Sequence, residues 1–106
     1  MAKIVWNDSA TQKLERQLDY ALNEFGRKCV AHWYRDILRI ESRLSIQPLS
    51  YPKISLLSNR DKEYRGATIM ENFQLVHYYD AENDIVYIDT IWDMRMNPKK
   101  LQKSIQ

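Results

Sequence analysis

The sequence predicts an α+β domain with an N-terminal strand and a two-helix hairpin packed on a three- to four-stranded, largely antiparallel sheet. In the first half of the chain, apolar residues recur every three or four positions, which indicates amphipathic helices. In the second half, aromatic segments separated by short polar turns indicate strands. A length of 106 residues is typical of one domain with its own core. We therefore assign residues 1–106 to a single domain.

The first 45 residues are predicted to form the strand and the helical hairpin. Consecutive apolar residues at positions 4–6 indicate a strand over residues 3–6, and polar residues at positions 7–9 offer N-cap side chains. Gly26 is placed to end the first helix after Phe25, because a left-handed conformation has no steric cost for glycine. The second helix is predicted for residues 27–45, where one apolar stripe is formed by Val30, Trp33, Ile37, Ile40 and Leu44.

The rest of the chain is predicted to contain a connector and a strand meander. Two prolines bound an irregular connector at residues 47–53, and residues 54–57 fit either a short edge strand or a continuation of that loop. Strands are predicted at 64–70, 73–79 and 84–92, and their short turns require antiparallel neighbours. We expect a two-residue Glu71-Asn72 loop, with Asn72 tolerating a positive φ, and a turn at residues 81–83. The polar tail from Asn97 is either irregular or helical.

Composition argues against several classes of function. With only 2 glycines the chain has no phosphate-cradling glycine loop, and its single cysteine, Cys29, cannot form an internal disulfide, which suits a reducing cytoplasm. Cys29, His32 and His77 are too few for the four ligands of a structural zinc site. No signal peptide or membrane-spanning apolar run is visible. We expect a cytoplasmic protein with no cofactor, no metal, no membrane partner and no small-molecule substrate.

Charge is distributed unevenly although the net charge is only +2. Residues 80–93 contain five acidic residues and no Lys or Arg, whereas residues 95–106 contain four basic residues and no acid. Arg35, Arg39 and Arg43 follow one another at i, i+4 steps on the second helix, which makes a basic stripe. These features fit either ordinary solvated surfaces or a surface that grips an anionic partner.

The order of elements and three local segments resemble the RelE/ParE family of bacterial toxins. The segments are KIVWNDSATQKLERQLDYALNEFG, EYRGATIMENFQLVHYYD and VYIDTIWDMRMNP, and the resemblance covers roughly residues 3–101. It implies the toxin of a type II toxin–antitoxin pair, neutralised by a cognate antitoxin that wraps it. It also implies one of two targets: RelE-like members cut mRNA at the ribosome, whereas ParE-like members block DNA gyrase and have no known nuclease chemistry.

Three residues are candidates for the catalytic site that a RelE-like nuclease would need. Arg65 matches a basic position of the family and Arg95 follows the last strand, so both could stabilise the scissile phosphate. His77 stands where the family usually has Tyr and is the candidate acid or base. The chain departs from the nuclease pattern at Gln74, where Arg is favoured, and no Tyr or His follows Arg95. The departures favour the ParE-like branch, and the RelE-like endoribonuclease is the alternative.

Each candidate also has a purely structural interpretation. His77 in a half-buried strand can be a packed, hydrogen-bonded residue. Arg65 can pair with Glu63 or Asp93, and Arg95 can anchor the C-terminus by donating to backbone carbonyls. A further alternative is a family member that has lost its toxicity and survives as an antitoxin-binding or regulatory partner.

Overall fold

The computed structural model describes residues 1–105 and has the predicted α+β architecture. Its sheet has the strand order β1-β4-β3-β2, in which β1 runs parallel to β4 and the other neighbours are antiparallel. No helix within residues 1–105 is long and apolar enough to cross a membrane. The elements are β1 (Lys3–Trp6), α1 (Asp8–Phe25), α2 (Arg27–Ile46), a 3-10 turn (Ser55–Leu57), β2 (Arg65–Ile69), β3 (Phe73–Asp80), β4 (Ile85–Asp93) and α3 (Pro98–Ser104).

The boundaries of the helical hairpin follow the prediction except that α2 ends at Ile46, one residue beyond the predicted end. The Asn7 side chain accepts a hydrogen bond from the Ala10 N–H at 2.8 Å and caps α1. Gly26 ends α1 with its N–H donating to the carbonyls of Ala21 and Leu22. Its φ of 87° is positive as expected, but its ψ of −173° lies outside the left-handed helical region that we predicted. Glycine alone adopts this combination readily, and it lets α2 start at the next residue.

The principal core lies between the helical hairpin and one face of the sheet. Ile40 and Leu44 of α2 are fully buried there, as are Leu75 of β3 and Ile88 of β4. Each such side chain stabilises the fold by roughly 1.5–3 kcal/mol relative to an exposed position. The apolar stripe of α2 that the sequence predicts therefore fixes how the hairpin sits on the sheet.

A second, smaller core covers the opposite face of the sheet and includes the C-terminal tail. The tail is helical as α3, with Asn97 accepting from the Lys99 N–H at 3.0 Å. Leu101 and Ile105 are almost fully buried against Leu57 and Val76. In the sequence, the only sign that this tail packs on the domain is the pair Leu101 and Ile105, two apolar residues spaced by four among polar ones.

Two details of the β2–β3 turn differ from the expectation. The turn contains three residues rather than two, since Ile69 pairs with Phe73. Positive φ angles occur at Met70 (51°) and Glu71 (68°), and Asn72 is not among the residues with positive φ. A contact distant in sequence accompanies this geometry, since the Met70 N–H donates to the carboxylate of Asp36 on α2 at 3.1 Å.

The segment after the connector forms no edge strand. Residues Ser55–Leu57 form a 3-10 turn instead, and only Lys53 makes an isolated bridge to Arg65 of β2. The turn between β3 and β4 is one residue longer than predicted. Asp84, which was expected to begin the next strand, has a φ of 54°, and β4 begins at Ile85.

Candidate functional site

His77 is fully buried in β3, on the face of the sheet that carries the helices. Its Nδ1 lies 3.0 Å from the carbonyl oxygen of Leu75. A carbonyl only accepts, so Nδ1 carries the hydrogen and Nε2 is left as an acceptor. Nε2 is itself buried without a hydrogen-bond partner among residues 1–105. Burial lowers the pKa of His77 from 6.5 to about 4, so the ring is neutral at neutral pH.

Arg65 is the cross-strand partner of His77 on β2. Its guanidinium donates to the Tyr51 carbonyl at 2.7 Å and to the Glu63 carboxylate at 3.1 Å, and its side chain is only 13% exposed. The pairing with Glu63 was one of the structural alternatives that the sequence left open. Hydrogen bonds from Lys53 and Arg65 lower the pKa of Glu63. Arg65 therefore ties the connector to the sheet.

The connector closes over His77 through Tyr51. The Tyr51 and His77 rings meet edge to face with their centroids 5.7 Å apart, and the Arg43 guanidinium lies 4.8 Å from the centre of the Tyr51 ring. Around the Tyr51–His77 contact, three buried polar atoms have no hydrogen-bond partner in the described chain: the Tyr51 hydroxyl, Arg65 Nε and His77 Nε2. Sequence reasoning found Arg65 and His77 but missed Tyr51, because nothing local marks its contact with residue 77.

Arg95 lies at the other end of the sheet and contacts neither of the other candidates. It forms a two-bond pair with Asp93, with Nε donating to Oδ1 at 3.0 Å and Nη2 donating to Oδ2 at 2.8 Å. Arg95 lowers the pKa of Asp93, and the pair replaces the carbonyl contacts we considered for Arg95. Asp93 is opposite Phe73, four residues from His77 along β3, which is roughly 13 Å.

This geometry limits the chemistry available at the predicted site. Arg65 and His77 are brought together, but Arg95 is not. General acid or base catalysis needs the imidazole within about 3 Å of the proton that moves. With Tyr51 and the connector in place, His77 has no exposed surface for a bound strand to reach.

The basic stripe on α2 is partly engaged within the molecule. Arg39 pairs with Asp36 at 3.3 Å, and Arg43 stacks on Tyr51 and donates to the Ser50 hydroxyl at 3.0 Å. Arg35 makes no ion pair with any described residue. Within residues 1–105, no group of three or more His, Cys, Asp or Glu side chains could hold a metal ion.

Comparison with known proteins links this geometry to a toxin fold. Neither a family model nor a curated protein matches the sequence. A chain of the chromosomal ParDE TA system from P. aeruginosa superimposes with a TM-score of 0.66 at 16% identity, over 88% of this chain and 96% of that chain. A metal-bound toxin from Helicobacter pylori superimposes with a TM-score of 0.65 at 15% identity, over 90% of this chain and 97% of that chain. Both similarities extend over almost the whole length of each partner, as the resemblance in sequence led us to expect. The chain has the RelE/ParE-like toxin fold.

Proposed function

We propose that the chain is the toxin of a type II toxin–antitoxin pair and that a cognate antitoxin neutralises it. The observation that carries this proposal is the fold, which matches a ParDE system chain over 88% of this chain. The sequence segments that resemble the RelE/ParE family run through the same elements, from β1 to the residues after β4.

We further propose that the toxin is ParE-like and acts by binding DNA gyrase rather than by cutting RNA. The support is the state of the three nuclease candidates. His77 is buried and neutral, and Arg65 is held by Tyr51 and Glu63. Arg95 lies beyond the far end of β4, bound to Asp93, and contacts neither of them. A protein that acts by binding needs none of these groups exposed.

Growth and supercoiling assays test this proposal together. We expect induced expression of the chain to arrest growth, and co-expression of the protein encoded by the adjacent gene to restore it. His77→Gln should remain as toxic as the wild type, because the glutamine amide can also donate to the Leu75 carbonyl. Loss of toxicity in a His77→Gln protein that is still folded would contradict a mechanism without catalysis. A lack of growth arrest with wild-type protein would favour a family member that has lost its toxicity.

The second candidate function is a RelE-like, ribosome-dependent endoribonuclease. The observation in its favour is that Arg65 and His77 are cross-strand neighbours and that His77 Nε2 has no partner in the described chain. Displacement of the connector would expose both. In this case Arg65→Ala and Arg95→Ala should abolish mRNA cleavage during in vitro translation, as mapped by primer extension, while circular dichroism shows an intact fold. Unchanged cleavage in both variants would exclude these roles.

A further inference from the structure

The side of α2 that points away from the core carries a row of basic residues. The core positions of this helix recur at steps of three and four, as at Trp33, Ile37 and Ile40. Residues two positions further along lie about 200° around the helix and therefore face solvent. The solvent-side positions with this spacing are exposed and hold Lys28, His32, Arg35 and Arg39. We call these four residues the α2 basic face.

The α2 basic face differs from the stripe that the sequence indicated at Arg35, Arg39 and Arg43. Arg43 turns toward the connector, where its guanidinium lies 4.8 Å from the centre of the Tyr51 ring. Lys28 instead extends the row toward the start of α2, two turns before Arg35. From Lys28 to Arg39 the face measures about 16 Å along the helix axis.

The two acidic residues of α2 leave most of this positive charge uncompensated. Glu41 accepts from the indole N–H of the β1 tryptophan at 3.1 Å, and Asp36 accepts from the backbone N–H that follows β2. Asp36 also pairs with Arg39 at 3.3 Å, but such a surface pair contributes at most about 1 kcal/mol. Lys28 and Arg35 form no ion pair within residues 1–105.

A straight row of cations on one rigid helix complements a rigid polyanion. Each strand of duplex DNA places a phosphate about every 3.4 Å along its axis, so the face spans about five phosphates of one strand. The nearest exposed rings and apolar side chains, Tyr34 and Leu38, lie about 100° around the helix. The face therefore lacks the apolar centre that a protein partner would need and the aromatic ring on which a single strand would stack its bases.

We propose that the α2 basic face binds the phosphate backbone of duplex DNA without recognising its sequence. Lys28, Arg35 and Arg39 each neutralise one phosphate, and His32 donates a hydrogen bond to a phosphate oxygen between them. This inference goes beyond the proposed function, which concerns protein partners, because it makes DNA itself a ligand of the chain.

The salt dependence of binding tests the three charge contacts. A fluorescein-labelled DNA duplex of about two helical turns is titrated with the purified chain, and anisotropy is measured between about 50 and 200 mM KCl. Three contacts predict a slope of about −2.7 for log K against log[salt], which is about fortyfold weaker binding at the higher concentration. A slope near zero would overturn the proposal, as would no binding at about 50 mM salt with the chain at about 0.1 mM.

Two matched double variants test where on the chain the DNA binds. Lys28→Gln with Arg35→Gln should weaken binding about tenfold or more at about 50 mM salt and make the slope shallower by about 1.8. The control, Lys99→Gln with Lys103→Gln, removes the same charge from exposed positions of α3 and should leave the slope unchanged. Circular dichroism checks that both variants are folded. An equal loss in the two variants, or a larger loss in the control, would overturn the assignment to α2.

Competition against the labelled duplex identifies the ligand. Unlabelled duplex DNA should compete best at equal phosphate or carboxylate concentration, ahead of single-stranded DNA, duplex RNA and poly-glutamate. Any of these three that competes better would overturn duplex DNA as the ligand, and poly-glutamate would indicate an acidic protein surface instead. The assays contain neither gyrase nor antitoxin, so a failure of the DNA site leaves the proposed toxin function standing. A chain that binds DNA in this way but never arrests growth would contradict only that function.

Discussion

Acidification should destabilise this protein through His77 before the carboxylates protonate. The unfolded chain binds a proton on this residue below its ordinary pKa of 6.5, whereas the folded chain resists protonation until about pH 4. The free energy of unfolding is therefore highest above 6.5 and falls as the pH drops from 6.5 to about 4. This gap in pKa corresponds to about 3 kcal/mol, of which about 2.5 kcal/mol is lost by about pH 4.5.

Urea denaturation at about pH 7 and about pH 4.5 measures this effect, with His77→Gln as the control. Glutamine does not titrate and can still donate to the Leu75 carbonyl, so the variant retains the acid response of every other group. We expect the wild type to lose about 2.5 kcal/mol more than the variant between the two pH values. Equal losses would refute the claim that His77 is buried and neutral. They would also favour a His77 that is open to solvent, as the nuclease candidate requires.

Three further variants test the packing around the site. Gly66→Ala should lower the free energy of unfolding by about 1–2 kcal/mol, as measured by urea denaturation. The new Cβ would lie 2.7 Å from Gln74 Cγ and would displace the Gln74 side chain, whose amide oxygen accepts a hydrogen bond from Trp92 Nε1. An unchanged urea midpoint would contradict this. Leu101→Ala should cost about 2 kcal/mol or more and speed amide exchange in α3, whereas no change would mean that the tail does not pack on the sheet. Tyr51→Phe should be neutral or stabilise by up to about 1 kcal/mol in thermal unfolding, since its buried hydroxyl has no partner in the described chain; a clear loss would reveal one.

Local patterns predicted the helices from the period of their buried faces, and the strands from aromatic segments bounded by short polar turns. The stripe of α2 placed Ile40 and Leu44 in the core from spacing alone. The β2–β3 turn was not predictable in this way, because its positive φ at Met70 accompanies a hydrogen bond to Asp36, 34 residues away.

The candidate site was predictable only in part for the same reason. The family resemblance pointed to Arg65, His77 and Arg95, and strand pairing accounts for the proximity of the first two. The cover over His77 depends on Tyr51, which lies in an irregular connector with no periodicity to read. The partner of Arg95 is its near neighbour Asp93, a choice that depends on where β4 ends.

Inhibition of DNA gyrase by the purified chain is the most direct test of the ParE-like function. Relaxed plasmid is incubated with gyrase, ATP and increasing amounts of the chain, with and without the protein encoded by the adjacent gene. We expect supercoiling to stop at an excess of the chain, to stop equally with His77→Gln, and to resume when the adjacent protein is added. Full supercoiling at a large excess of folded chain would contradict gyrase as the target.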